Sequence, residues 1–319
     1  MKKHIYIYSP SGAVRDKKAF RKGLERLKEL GHDVEVDEAA LSSQQRFAGA
    51  DDIRLAAIHR AASSGADVAL ISRGGYGLTR LLAGIQYKRL SQAIERGTQF
   101  VGLSDFTALQ LALLAKTGAI TWAGPNLCEG FGSADGVDDI MQACFDDLLL
   151  EQGEGTGWRQ HKESAAALSL APAFHQKRMG DAADFRVRDG LLWGGNLAVL
   201  CSLMGTPYLP KIEKGILFLE DVGEHPYRIE RMLTQLLHSG VLAKQKAIVL
   251  GQFTDYKLSP HDKGYNFNAV VAWLRTQVKT PVVTNLAFGH VQTKVMLPVG
   301  AKADLLVQGR DALLLWGHL

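Results

Sequence analysis

Along the first half of the chain, short apolar runs alternate with stretches whose apolar residues recur at helical spacing. Ile5–Tyr8 reads as a strand and stops at Ser9-Pro10-Ser11-Gly12, the composition of a turn. Phe20, Leu24 and Leu27 then share one helical face, and Gly31 stands where a helix is capped. Val34 and Val36 alternate with Asp33 and Glu35, the period of a second strand. Asp51-Asp52 opens a helix through Ala62 that Ser63-Ser64-Gly65 closes. Val68–Ile71 is a third strand and leads straight into Arg73-Gly74-Gly75-Tyr76-Gly77, after which Leu78, Leu81 and Leu82 begin a helix. After a further helical stretch, Phe100–Leu103 is a buried strand, broken by Ser104-Asp105 before Leu109, Leu113 and Leu114 resume at helical spacing. A helix near Asp138–Leu150 ends this half. Strands alternating with helices imply α/β architecture with a parallel, doubly wound sheet. In such sheets ligands bind beyond the carboxyl ends of the strands, where both the glycine loop and Ser104 stand.

The second half has a different rhythm. Leu191–Trp193 runs into Gly194-Gly195-Asn196, and Leu197, Leu200 and Leu203 predict a short helix. Ile216–Leu219 is a buried strand that ends in Glu220-Asp221, and Ile229, Met232, Leu233, Leu236 and Leu237 form a helical stripe. Ala247–Leu250, Val282–Val283 and alternating segments from Val295 onward add strands, so this half reads as a smaller mixed-β domain, α+β or barrel-like. Between the halves, Gly153 to about Gly180 is glycine-rich and then alanine-rich without a period. The expected organisation is an N-terminal domain over 1–155, a linker over 156–180 and a C-terminal domain over 181–319.

Composition narrows the function classes. A chain of 319 residues, 46% apolar and 22% charged, is a folded, soluble protein of two domains, with one large domain as the alternative. The net charge is +4 and the basic residues are interspersed with acids, so there is no nucleic-acid stripe and no polybasic membrane anchor. A mildly positive surface suits an anionic small substrate. Cys128, Cys144 and Cys201 lie far apart, which excludes a disulfide framework and a cysteine metal cluster and suits reduced thiols in a cytosol. The apolar part of the N-terminus is too short for a signal peptide or a span, so a cytoplasmic location is expected.

Three strand ends carry candidate chemistry. A serine on the sharp turn between a buried strand and a helix is where many hydrolases hold a nucleophile, and Ser104 has that place. Ser-Asp before an apolar periodic run is equally ordinary helix-capping chemistry, and Phe106 replaces the second glycine of G-x-S-x-G. The loop Gly75-x-Gly77 fails the dinucleotide fingerprint because Arg80 stands where glycine or alanine is needed. It remains a tight turn, a phosphate loop, or a glycine-lined backbone that brings N–H groups close to a reacting carbonyl. Glu220-Asp221 ends an apolar strand, where carboxylates are rare; the alternatives are a salt bridge and a helix cap. His290 ends the run Val282–Gly289, and is either a structural histidine or the base a serine needs. The order Ser104, Glu220, His290 suits a triad in which a carboxylate orients the imidazole, although order alone does not establish one. No H-x-x-x-H or clustered cysteine spacing calls for a metal, and no cofactor is expected.

The motifs Ser9-Pro10-Ser11-Gly12, Arg73-Gly74-Gly75-Tyr76-Gly77, Gly102-Leu103-Ser104-Asp105-Phe106-Thr107 and Ala123-Gly124-Pro125 resemble those of the LD-carboxypeptidases, or muramoyltetrapeptide carboxypeptidases, of peptidoglycan recycling. So do Trp193-Gly194-Gly195-Asn196-Leu197, Leu219-Glu220-Asp221-Val222-Gly223-Glu224, Pro226-Tyr227-Arg228-Ile229-Glu230-Arg231, Gly289-His290 and Leu297-Pro298-Val299-Gly300. They span almost the whole chain in one order; Ala287 stands where the pattern calls for glycine. The resemblance implies a flavodoxin-like N-terminal domain bearing Ser104 as nucleophile. It implies a smaller C-terminal domain bearing His290 as general base and acid and Glu220 as its orienting partner, with the site in the cleft between them. It implies a metal-free cytoplasmic homodimer that removes the terminal D-alanine from a murein tetrapeptide, with no nucleic-acid or membrane partner. The oxyanion would meet the backbone N–H groups of Gly75 and Asp105, and Arg73, Arg80 and Arg231 are the candidates for the substrate carboxylate. Two other readings stand beside this one: a self-immunity peptidase of the same family, of the microcin type, acting on peptide-nucleotide antibiotics, and a non-catalytic protein that binds muropeptides or a nucleotide.

Overall fold

Strands β1 (His4–Tyr8), β2 (Asp33–Val36), β3 (Val68–Ile71), β4 (Gln99–Gly102) and β5 (Thr121–Ala123) lie side by side in the computed structural model, which describes residues 2–161 and 184–319. Their order is 2-1-3-4-5, all parallel, the flavodoxin-like arrangement. β11 (Leu297–Val299) adds to β5 as an antiparallel edge. Ile5, Ile7, Val68, Leu70, Phe100 and Val101 are all 0% exposed, and burying such a side chain contributes about 1.5–3 kcal/mol. This explains why these strands read as continuous apolar runs.

Helices α1 (Lys17–Glu29), α2 (Asp51–Ala61), α3 (Tyr87–Glu95), α4 (Thr107–Thr117) and α5 (Asp139–Leu150) accompany this sheet. Asp16 caps α1 by accepting from Lys18 N and Ala19 N, and α4 ends at Gly118 in the left-handed conformation. Leu78, Leu81 and Leu82 do not start an α-helix. They form 3-10 turns at Leu78–Arg80 and Leu82–Gly84. The stretch between Gly77 and Gly84 is too short to repay helix nucleation, and single turns already bury all three leucines.

The other sheet has seven strands in the order β10-β9-β8-β7-β12-β13-β6. These are β6 (Gly155–Arg159), β7 (Phe185–Asn196), β8 (Ile216–Val222), β9 (Ala247–Thr254), β10 (Val282–Val283), β12 (Lys302–Gln308) and β13 (Asp311–Leu315). Pairing is parallel from β10 to β7 and antiparallel from β7 to β6. The two edges meet through side chains. Trp158 Nε1 donates to Thr284 O at 2.9 Å, and Asn285 Nδ2 donates to Arg159 O at 2.8 Å. That gives the barrel-like character without a backbone ladder at the seam. Helices α6 (Leu197–Ser202), α7 (Pro226–His238) and α8 (Phe267–Gln277) complete this part; α6 stops one residue short of Leu203.

The chain divides into two compact units. The first comprises Met1–Gly153, Leu203–Pro210 and Gln292–Gly300, and the second Glu154–Ser202, Lys211–Val291 and Ala301–Leu319. The stretch expected as a linker, 156–180, opens within β6, and from residue 162 onward it lies outside the described residues. Among the described residues no helix is long and apolar enough to cross a membrane.

Candidate active site

Ser104 stands in the first unit, two residues beyond the end of β4. It is the first residue of a 3-10 turn, Ser104–Phe106, that continues into α4. Its φ is +70°, a left-handed conformation that a non-glycine residue adopts at a cost of about 1 kcal/mol or more. The strand–strained serine–helix arrangement is that of a nucleophile elbow, although the local sequence lacks the second glycine. The first N–H groups of a helix have no intrahelical acceptor, and the Asp105 N–H is one of them. Across from the turn lies Gly74. A Cβ built there would be 2.6 Å from Ser104 Cβ and 2.8 Å from Ser104 Oγ, so only glycine permits the glycine loop to press against the serine. Gly75, the proposed second donor, follows at once.

Glu220 and His290, seventy residues apart, come together in the second unit. His290 Nδ1 lies 2.7 Å from Glu220 Oε2, with the glutamate side chain fully buried and the imidazole 14% exposed. Backbone irregularities make the meeting possible. The register between β8 and β9 shifts between Leu219 and Asp221, a bulge that re-aims the side chain at 220. The loop carrying His290 crosses this bulge, with Gln252 N donating to Phe288 O at 2.9 Å. Gly289 sits at φ +141°, and a Cβ there would be 3.0 Å from Gln252 O and 3.3 Å from Glu220 Cβ.

Asn196 is a partner of this pair that the sequence did not single out as a site residue. β7 and β8 pair in register so that Asn196 faces Glu220. Its Nδ2 donates to Glu220 Oε1 at 3.2 Å and to Asp221 Oδ1 at 2.9 Å. Asp221 also accepts from Ala198 N and Val222 N, which ties it to the start of α6. Burial, with the neighbouring Glu220 second, pushes Asp221 up to about 6 despite these bonds. The only sequence signal was position: an asparagine and two acids at adjacent strand ends.

The three candidate arginines differ. Arg73, half-buried, donates from Nη1 to Ala13 O at 3.3 Å and has no carboxylate at ion-pair distance among the described residues. Burial and the nearby charges of Arg15 and Arg46 hold its guanidinium below the usual value. Arg80 is engaged by Asp51 at 2.8 Å and lies over the Phe47 ring. Arg231, in the second unit, is exposed on α7 beside Tyr227. The cysteines do not compete as nucleophiles, since burial pushes the Cys128 and Cys201 thiols up to about 12 and keeps them protonated. Among the described residues, no group of three or more His, Cys, Asp or Glu could hold a metal ion.

Comparison with known proteins supplies the family. The model of the LD-carboxypeptidase N-terminal domain matches residues 5–124, and that of the C-terminal domain matches residues 189–305. A putative carboxypeptidase of Synechocystis sp. is 31% identical over 94% of the chain and 90% of its own length. A probable murein peptide carboxypeptidase of Bacillus subtilis is 30% identical over 90% of the chain and 84% of its own length. The crystal structure of muramoyltetrapeptide carboxypeptidase from Oxalobacter formigenes superposes with a TM-score of 0.82 at 38% identity, covering 98% of this chain and 97% of that one. With matching models over both halves and relatives of this extent, the chain belongs to the LD-carboxypeptidase family of peptidases.

Proposed function

We propose that the chain is a serine peptidase that releases the terminal D-alanine from murein tetrapeptides in peptidoglycan recycling. Ser104 is the nucleophile, His290 the general base and then acid, and Glu220 the group that orients the imidazole. The observation that carries the reading is the 2.7 Å pair of His290 Nδ1 with the buried Glu220 carboxylate. An ionised carboxylate only accepts, so Nδ1 carries the proton and Nε2 is left to take one from a hydroxyl. The strained turn at Ser104 supports the serine as the donor of that hydroxyl. The names of the Bacillus and Oxalobacter relatives support the substrate.

In this mechanism Ser104 Oγ attacks the scissile carbonyl while His290 Nε2 takes its proton. The oxyanion meets the backbone N–H groups of Gly75 and Asp105, each such donor being worth about 3 kcal/mol in the transition state. Collapse expels D-alanine as the free amine with the proton returned by His290, and water then hydrolyses the acyl-enzyme by the same path. Arg73 is the choice for the substrate's terminal carboxylate, because Arg80 is already engaged by Asp51, which it shares with Arg54. The cytoplasmic location, the homodimer and the absence of membrane and nucleic-acid partners are part of the same proposal. Light scattering of the purified chain tests the dimer.

Mass spectrometry of a murein tetrapeptide after incubation is the direct test, with loss of one D-alanine expected. Ser104→Ala, Glu220→Ala and His290→Ala should each lower kcat by roughly a thousandfold or more, with the triple variant little worse than Ser104→Ala, because the three act as a unit. Near-normal kcat in Ser104→Ala would end the serine mechanism. Cleavage of a peptidyl adenylate in place of the tetrapeptide would keep the mechanism and reassign the substrate to the antibiotic class.

A further inference from the structure

The side chain of Asp105 has a partner of its own, apart from the reaction that its backbone N–H would serve. The residue is 2% exposed, and Oδ2 accepts from Leu78 N at 2.9 Å. Leu78 follows directly on the glycine loop 73–77 and begins the turn Leu78–Arg80, while Asp105 follows directly on Ser104. One carboxylate therefore joins the two backbone segments from which the oxyanion donors come. Burial, the largest effect, holds this carboxyl above its usual value despite the Leu78 N–H and the charges of Arg54 and Arg46. Arg54 is itself fully buried, held by Asp51 and by Pro10 O at 3.2 Å. A buried carboxyl is a costly fastener, and an apolar contact of equal volume would hold the loop as firmly. What the hydrogen bond adds is a set distance and angle, which an oxyanion hole requires and an apolar contact does not supply.

We propose that the Asp105 carboxylate is a positioning residue, fixing the glycine loop against the nucleophile turn so that the Gly75 and Asp105 N–H groups converge on one oxygen. The inference rests on the reading of Ser104 as nucleophile. Asp105→Ala removes the acceptor, whereas Asp105→Asn keeps one for the Leu78 N–H and removes the acid. With murein tetrapeptide as substrate, Asp105→Ala should lower kcat by roughly ten- to a hundredfold with KM changed less than about threefold, and Asp105→Asn should fall between it and the native chain. Inactivation by a fluorophosphonate, whose tetrahedral adduct places its phosphoryl oxygen in the same hole, should slow in the same order. Native inactivation rates in a folded Asp105→Ala, or a lowered Tm with kcat preserved, would overturn the proposal. If Asp105→Ala does not fold, Asp105→Glu keeps the carboxyl group and moves the acceptor by one bond. A kcat at least about fivefold lower at native KM is then expected, and native kcat refutes it. A native chain that the fluorophosphonate fails to label sinks the nucleophile itself, and the inference with it.

Discussion

A single methyl group on Gly74 tests whether the Ser104 hydroxyl is the reacting group. Gly74 is not among the residues with positive φ, so alanine suits its backbone and the perturbation is purely one of space. The new Cβ would lie 2.6 Å from Ser104 Cβ, 2.8 Å from Ser104 Oγ and 3.3 Å from Leu103 O. Carbon–carbon contacts are most favourable at about 3.5–4.0 Å, so the loop and the serine must part by roughly 1 Å. Such an overpacking costs about 1–3 kcal/mol of stability, which a two-unit chain of this size survives. Displacing a reacting atom by about 1 Å costs on the order of a hundredfold in rate, or about 2.7 kcal/mol of activation free energy. The rate effect therefore exceeds what partial unfolding would produce. The assay is D-alanine release under saturating tetrapeptide, with circular dichroism melts alongside. The expected result is a kcat lowered by roughly a hundredfold in a chain that still melts cooperatively. A kcat within about threefold of native, with Tm lowered, would mean that the loop recoils and the serine stays, and the steric argument would be refuted.

The conformation of Ser104 predicts an inversion of the usual helix-start preferences. At φ +70° glycine pays nothing and alanine pays, so Ser104→Gly should be more stable than Ser104→Ala by about 1 kcal/mol in urea melts, both being inactive. Equal stabilities would show that no strain is stored there. Asp221 predicts a pH effect. Its carboxyl stands at about 6 in the folded chain against about 3.9 unfolded, so its contribution to stability is complete below the unfolded value and is lost as pH rises through about 6. Asp221→Asn should thus gain on the native chain by up to about 3 kcal/mol between pH 4 and 6; a difference between the two that is flat across that window would count against the shift.

Residue periodicity determined a good deal by itself. The runs at Ile5–Tyr8, Val68–Ile71 and Phe100–Leu103 read as buried strands because each is only four residues long and stops at turn residues, whereas the equally buried α4 runs for eleven. Their alternation with helices carried the parallel sheet, and the break at Ser104 marked the end of β4, whereas β8 runs on through Glu220 and Asp221 to Val222. The motifs made the family legible before any coordinate. What the periodicity did not hold was partnership. That His290 meets Glu220 depends on the β8–β9 bulge and on a left-handed Gly289, and that Asp105 holds Leu78 depends on β3 lying beside β4. The leucines at 78, 81 and 82 read as a helix because spacing ignores how short the segment between its glycines is. That Asp51 takes both Arg54 and Arg80 was equally hidden. Burial is written locally, since each side chain's affinity for water is its own property. Hydrogen bonds between residues seventy apart are decided only when strand order and loop conformation place a donor within 3 Å of an acceptor.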